Sequence, residues 1–109
     1  MKYLTPLFAL ALAFGVSALA HAQDFGRPQQ GRAIAQGICA ECHAVQKDGQ
    51  RSPNPDAPPF ATIAGTPGIT QMALSAALQT SHRTMPNIVL KSGEMADVIA
   101  YILSLRDGR

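Results

Sequence analysis

Five consecutive residues, Cys39-Ala40-Glu41-Cys42-His43, hold both cysteines of this 109-residue chain and one of its three histidines. A chain of this length forms one domain at most, and so small a domain buries a limited share of its surface. There is no tryptophan, and Phe25, Phe60 and Tyr101 are the only aromatic residues beyond the first twenty-odd positions. A hydrophobic core built from so few large side chains needs a disulfide, a metal or a bound group to be stable. The small number of aromatic residues therefore indicates that something other than side chains fills the centre of the domain.

The first residues have the pattern of a secretory signal. Lys2 provides a positive start, residues 7–16 an apolar stretch, and Ala20-His21-Ala22 a small-x-small cleavage site. An uncleaved membrane anchor over residues 3–20 is the alternative, but Thr5, Pro6 and Gly15 disfavour it, as does the cleavage motif directly behind the short apolar stretch. We expect residues 1–22 to be removed on export and residues 23–109 to form one domain.

The charge balance argues against two classes of partner. The whole chain has nine Lys and Arg against seven Asp and Glu, and signal cleavage removes only Lys2 from that count. No basic stripe remains for nucleic acid, and the net charge gives no reason for docking on an anionic membrane. After signal cleavage we expect no stable membrane insertion.

Apolar residues recur at helical spacing in three stretches, and neither a strand pattern nor an internal repeat appears. The first stretch predicts a helix that ends near Cys42. The second predicts a helix that starts at Thr66-Pro67, because proline is tolerated at the first helical position. The third predicts a helix capped by Ser92 and ended by Gly108.

The segments between these helices carry residues that interrupt regular structure. Four prolines occur in residues 44–59, and Pro86 interrupts residues 80–93, so both segments are predicted to be loops. Met72 and Met95 fall within the second and third helices, where we expect them in the core. The sequence thus predicts an all-α domain with about three to five helices and two long loops.

Cys39, Cys42 and His43 form the pattern C-x-x-C-H, which is typical of covalent c-type haem attachment. Two thiols three positions apart can form thioethers to the two vinyl groups of one haem edge. The next residue then presents its imidazole to the iron. The motif predicts one haem c, attached through both cysteines, with His43 as an axial ligand.

The cysteine cluster has three other possible structural or chemical roles. A structural disulfide is possible in an exported protein, but so short a loop removes little unfolded-state entropy. A thioredoxin-like redox pair normally follows a β-strand, and none is predicted. A zinc site made of Cys39, Cys42, His43 and the distant His82 lacks the second paired motif that supports zinc spacing.

Haem iron needs a sixth ligand or has an open position, and Met85 is the candidate we favour as that ligand. It lies in a loop, in "RTMPN", where a methionine gains little from packing and Pro86 stiffens the backbone behind it. Met72 and Met95 are the other methionines beyond the signal. His82 is the remaining alternative, although solvent exposure suits it better.

Taken together, the segments resemble those of the class I c-type cytochromes over essentially all of residues 23–109. The order is a small-residue first helix with Gly31, the C-x-x-C-H motif, a proline-bearing loop, a Thr-Met-Pro segment, and a last helix that carries Tyr101. The resemblance implies a cytochrome c fold packed around one covalently attached haem. It also implies a close crossing of the first and last helices at Gly31 and Tyr101.

The same resemblance assigns roles to two residues of "APPF". The carbonyl of Pro58 is expected to hold the ring N–H of His43, and Phe60 is expected to lie against the haem. With His43 and Met85 on the two faces of the iron, no position remains for a substrate. The resemblance therefore implies an electron carrier, not an enzyme, that docks briefly with respiratory or dehydrogenase partners in the periplasm.

Docking is expected around Cys42 and Met85, at the exposed thioether edge of the haem. Arg51, Arg83 and Lys91 are expected to be solvated surface residues. One alternative function is that of a dedicated cytochrome subunit of a periplasmic dehydrogenase. A second, if Met85 does not ligate, is a haem protein that binds gases or peroxide.

Overall fold

The computed structural model describes residues 26–49, 51–81 and 84–106, and these residues contain four α-helices and no β-strand. The helices are α1 (Pro28–Gly37), α2 (Phe60–Gly65), α3 (Gln71–Gln79) and α4 (Ser92–Ser104). A single 3₁₀ turn, Cys39–Glu41, follows α1. The predicted all-α fold class is confirmed. The predictions for the signal segment 1–22 and for His82, Arg83 and Gly108 fall outside the described residues.

The first and last helices cross with their backbones in contact. A Cβ atom on Gly31 would lie 1.9 Å from the carbonyl oxygen of Asp97 and 2.9 Å from the Cβ of Tyr101. A Cβ atom on Gly26 would lie 1.9 Å from the carbonyl oxygen of Ala96. Only glycine fits at either position, so these two residues allow α1 and the segment before it to lie directly on α4.

A buried carboxylate holds the start of α1 on α4. The backbone N–H of Arg27 donates to Oδ1 of Asp97 at 2.7 Å, and its guanidinium donates to Oδ2 at 3.2 Å. The hydrogen bond from the Arg27 backbone is the main reason why the pKa of Asp97 is lowered. The N–H of Arg27 lies at the start of α1, where the helix offers no backbone carbonyl to accept its hydrogen bond. The carboxylate of Asp97 accepts it instead.

The end of α1 and the start of α3 differ from their predicted positions. α1 ends at Gly37, because the chain tightens into the 3₁₀ turn before it reaches Cys42. α3 begins four residues after Thr66-Pro67, where the hydroxyl of Thr70 accepts from the N–H of Ala73 at 3.1 Å. Gly68 lies between the predicted and the observed start of α3. Its φ of 77° is not helical, so a continuous helix cannot run from Pro67 into α3.

The ends of α4 also differ from the prediction. Ser92 is the first helical residue, not the cap, and the carboxylate of Glu94 accepts from the backbone N–H of Lys91 at 2.9 Å. The helix ends at Ser104, and the N–H of Leu105 closes the last turn on the carbonyl of Ile102 at 3.0 Å. An acidic side chain thus satisfies the helix start, as the helix dipole favours.

The short helix α2 was not predicted. It buries Phe60 and Ala64 and follows Pro59, which supplies a fixed φ before the first turn. At its other end, the guanidinium of Arg106 donates to the carbonyls of Ala64 and Ile69. Arg106, which follows α4, therefore holds the connection between α2 and α3 in place.

The two methionines that were expected in the core have different environments. Met95 packs against the core, and its sulfur accepts from Ser75 Oγ and Gln79 Nε2, each at 3.8 Å. Met72 is 82% exposed, so its core prediction was wrong. Leu74 is the buried residue of α3, and Met72 lies two residues, about 200° of helical rotation, away from it. The core itself comprises Ala35, Val45, Phe60, Ala64, Leu74, Val98, Ile99, Tyr101, Ile102 and Leu105.

Candidate haem-binding site

The C-x-x-C-H motif folds into one tight turn directly behind α1. The backbone N–H groups of Cys42 and His43 both donate to the carbonyl of Cys39, at 3.1 and 2.9 Å. Both cysteines and the histidine are half-buried, and Cys39 packs against the core. The turn therefore presents two thiols and one imidazole from a span of five residues, without placing them wholly in solvent.

The imidazole of His43 is oriented by a residue fifteen positions further along the chain. Its Nδ1 lies 2.7 Å from the carbonyl oxygen of Pro58. Because a carbonyl can only accept, the proton of the neutral ring lies on Nδ1 and its lone pair on Nε2. The ring of Phe60 lies beside the imidazole, with 5.3 Å between the ring centroids. The contact with Pro58 thus orients the imidazole so that Nε2 is the nitrogen that can bind a metal.

Hydrogen bonds to the backbone frame this histidine from both sides. The Cys42 carbonyl accepts from the N–H of Asn54 at 3.1 Å, and the Ala44 N–H donates to the hydroxyl of Ser52 at 3.0 Å. The Ala44 carbonyl accepts from the N–H of Phe60 at 2.9 Å. The backbone before and after His43 is therefore fixed by residues of the proline-rich loop and of α2.

A further bond connects this frame to the last helix. The hydroxyl of Tyr101 donates to the carbonyl of Val45 at 2.5 Å, and both residues are buried. Burial raises the pKa of Tyr101, so its phenol stays protonated and can donate. The rings of Phe60 and Tyr101 are 6.4 Å apart, centroid to centroid. The crossing of α1 and α4 is thus linked directly to the segment that carries His43.

The cysteines do not have the environment of a redox pair. Cys39 and Cys42 are both among the described residues and are not joined by a disulfide. Burial raises the pKa of the Cys39 thiol, whereas the reactive cysteine of a thioredoxin-like pair has a lowered pKa. The donor set, which is two thiols that are not paired with each other and an imidazole whose Nδ1 is bonded to Pro58, fits covalent haem attachment.

The zinc interpretation finds no support in the described part of the chain. No group of three or more His, Cys, Asp or Glu side chains is gathered there as a metal ion would require. His82, the proposed fourth zinc ligand, falls outside the described residues.

Met85 comes from a different stretch of chain. It lies between α3 and α4, and its side chain is half-buried. The structure brings Cys39, Cys42, His43, Pro58 and Phe60 together around one turn, whereas Met85 lies apart in the sequence, on the segment before α4. Of the charged residues expected at the surface, Arg51 and Lys91 are exposed.

Sequence reasoning missed three residues of the site: Ser52, Asn54 and Val45. Ser52 and Asn54 lie in "SPNPD", where serine, asparagine and aspartate alternate with proline. Serine and asparagine side chains bond to nearby backbone in such turns, so the composition carried a signal for structured backbone there. The contact from Tyr101 to Val45 spans 56 residues, and no local pattern could have revealed it.

A family model described as Cytochrome c matches residues 28–106, from the first residue of α1 to the last residue described after α4. The chain belongs to the cytochrome c family. Comparison with curated proteins and with solved structures gave no match. A cytochrome c domain implies covalently bound haem c and haem-based electron transfer. Members of the family are typically electron carriers.

No helix among the described residues of this cytochrome c is long and apolar enough to cross a membrane.

Proposed function

We propose that this cytochrome c is an exported, periplasmic carrier of single electrons, and that His43 and Met85 bind the iron of one haem c. The observation that carries the proposal is the 2.7 Å contact between His43 Nδ1 and the Pro58 carbonyl. That contact leaves Nε2 as the free donor atom, next to the two thiols that would form the thioethers. When bound, the haem supplies a one-electron couple.

The other methionines support Met85 as the second axial ligand. The sulfur of Met95 already accepts from Ser75 and Gln79 on α3. Met72 is 82% exposed, on the side of α3 away from Leu74. Met85 is half-buried and lies outside the helices, where Pro86 restricts the backbone that carries it. A thioether at this position would favour Fe(II) and give a potential above that of a site with two histidines.

The residues around His43 would also protect the couple from water. Phe60 is 3% exposed and its ring lies beside the imidazole, so the buried core reaches His43 at α2. An apolar surrounding disfavours the more highly charged ferric state, which raises the potential further.

Two exposed apolar side chains support docking around Cys42 and Met85, since each is close in the sequence to one of the two proposed iron ligands. Ile38 precedes Cys39 and is 42% exposed, and Val89, four residues after Met85, is 93% exposed. Small apolar contacts of this kind suit brief redox encounters. We propose that periplasmic or membrane-bound redox enzymes bind there. Export is supported by Lys2, the apolar residues 7–16 and the motif Ala20-His21-Ala22.

The test is expression in a host that has haem-maturation machinery, followed by mass spectrometry and visible spectroscopy of the exported product. We expect the mass of residues 23–109 plus one haem, and a methionine-to-iron charge-transfer band in the oxidised protein. Replacing Met85 with Ala should abolish that band and allow carbon monoxide to bind the reduced protein. The matched control, Met72→Leu, should change neither.

Each alternative function has a different outcome in the same experiment. A colourless product with alkylatable Cys39 and Cys42 would end the haem proposal. A haem protein that lacks the band and binds carbon monoxide before any substitution would be a gas- or peroxide-binding protein. Copurification of a larger oxidoreductase would identify a dedicated subunit instead of a free carrier.

A further inference from the structure

Residues 53–59, "PNPDAPP", contain four prolines, none of which has a backbone N–H. Only Asn54, Asp56 and Ala57 can therefore donate a backbone hydrogen bond in this segment. The N–H of Asn54 donates to the Cys42 carbonyl at 3.1 Å. The N–H groups of Asp56 and Ala57 donate to the side-chain oxygen and to the backbone carbonyl of Asn54, both at 3.0 Å. Asn54 is therefore the donor or the acceptor in every backbone N–H hydrogen bond of this segment.

This arrangement places Asn54 between the two ends of the histidine contact. On one side it holds Cys42, the residue before His43. On the other side it closes the turn that ends at the buried Ala57, one residue before the carbonyl of Pro58. Because proline restricts the backbone between these points, the turn fixes where the Pro58 carbonyl lies relative to the Nδ1 of His43.

We propose that Asn54 is a positioning residue for His43, which sets the strength of the hydrogen bond from Nδ1 to Pro58 and through it the reduction potential. The proposal rests on the proposed function, in which Nε2 of His43 binds haem iron. A strong bond at Nδ1 makes the imidazole a more basic ligand, and a more basic ligand stabilises Fe(III). Loss of the Asn54 turn should therefore weaken this bond and make the midpoint potential more positive.

The experiment compares Asn54→Ala and Asn54→Gln with Asn54→Ser in the haem-loaded protein. Alanine has no side-chain acceptor for the N–H of Asp56, and the longer glutamine side chain does not place its oxygen there, whereas the serine hydroxyl can accept this bond. The backbone bonds of residue 54 to Cys42 and Ala57 remain possible in all three variants, so the comparison isolates the side-chain bond. Both loss variants should shift the iron equilibrium toward Fe(II) by about threefold to tenfold, and tenfold is 59 mV for a one-electron couple. Asn54→Ser should stay near the wild-type potential.

A second measurement separates a positioning role from a merely structural one. In proton NMR of the reduced protein, the Nδ1 proton of His43 should exchange faster with solvent in the alanine and glutamine variants, with the Met85 charge-transfer band retained when oxidised. The control Asp56→Glu keeps the loop charge and the backbone N–H that donates to Asn54. It should change neither the potential nor the exchange.

Several outcomes would overturn the inference. Unchanged potential and exchange in a folded alanine variant would refute it, as would an equal shift in Asp56→Glu. If the alanine variant does not mature, the glutamine variant must show the shift. If the wild-type protein carries no haem or lacks His43 ligation, the proposed function itself fails, and that result is visible before any variant is made.

Discussion

Replacing Gly31 with alanine tests whether the contact between α1 and α4 supports the fold. The added methyl carbon would lie 1.9 Å from the Asp97 carbonyl oxygen and 2.4 Å from its carbonyl carbon. Non-bonded heavy atoms rest at about 3.5 Å, so the helices would have to separate by about 1.5 Å. The blocking atoms belong to the backbone and cannot rotate away. The perturbation is therefore a displacement of one helix from the other.

The free energies can be estimated from this geometry. Overpacking of this kind costs about 1–3 kcal/mol, and a backbone obstacle favours the upper part of that range. Alanine is a better helix former than glycine, which offsets this cost by about 1 kcal/mol. We expect a net loss of about 2 kcal/mol, which for a domain of this size lowers Tm by about 8–16 °C.

Gly37 provides the matched control within the same helix. A Cβ atom there meets nothing within 4 Å. Gly37→Ala should therefore raise the stability by about 0.5–1 kcal/mol through helix propensity and chain entropy. The assay is thermal and urea unfolding of the haem-loaded proteins, followed by circular dichroism. A Gly31→Ala protein as stable as Gly37→Ala would refute the close-contact reasoning.

Two further substitutions test the buried polar contacts. Asp97 has a lowered pKa when folded, so its contribution to stability is present above its unfolded value of about 3.9 and is lost as pH falls through the folded value. Asp97→Asn, which keeps an acceptor for Arg27 but no charge, should be less stable than wild type at pH 7, and urea unfolding should show the gap closing toward pH 2. Tyr101→Phe leaves the Val45 carbonyl without its donor and should cost about 1–3 kcal/mol in urea unfolding at pH 7. Because burial raises the pKa of Tyr101, the wild-type advantage over Tyr101→Phe should shrink above pH 10, and a constant advantage would contradict this assignment.

Local chemistry in the sequence predicted a large part of the fold. The apolar stripe of α4 is regular enough to define that helix, although its ends were misplaced by a few residues. The resemblance to class I c-type cytochromes implied the contact that Pro58 makes with His43. The same resemblance implied the crossing at Gly31, where the structure leaves no room for a side chain.

The errors arose where local signals competed or were too short. Thr66 and Thr70 are both plausible helix caps, and the left-handed conformation of Gly68 between them decides in favour of Thr70. The hydroxyl of Thr66 instead donates back to Thr62 in α2. With six residues, α2 is too short to show a helical period. Met72 was misplaced because an alanine- and leucine-rich helix does not reveal which of its faces is buried.

Long-range contacts were beyond the reach of sequence patterns. Asp97 is buried and bonded to Arg27, seventy positions away. Gly26 touches the backbone of α4, seventy positions further along the chain. Neither role has a period or a motif, because each depends on how two distant segments meet.

The hydroxyl of Tyr101 joins α4 to Val45, which lies two residues beyond His43. Separation of the terminal helices must therefore break a bond beside the proposed iron ligand, and the two events should occur in one cooperative step. The visible absorption spectrum of the haem-loaded protein would then report whether the whole domain is folded. Heat, protease nicking or a destabilising substitution at either end of the chain would be visible as a change of colour.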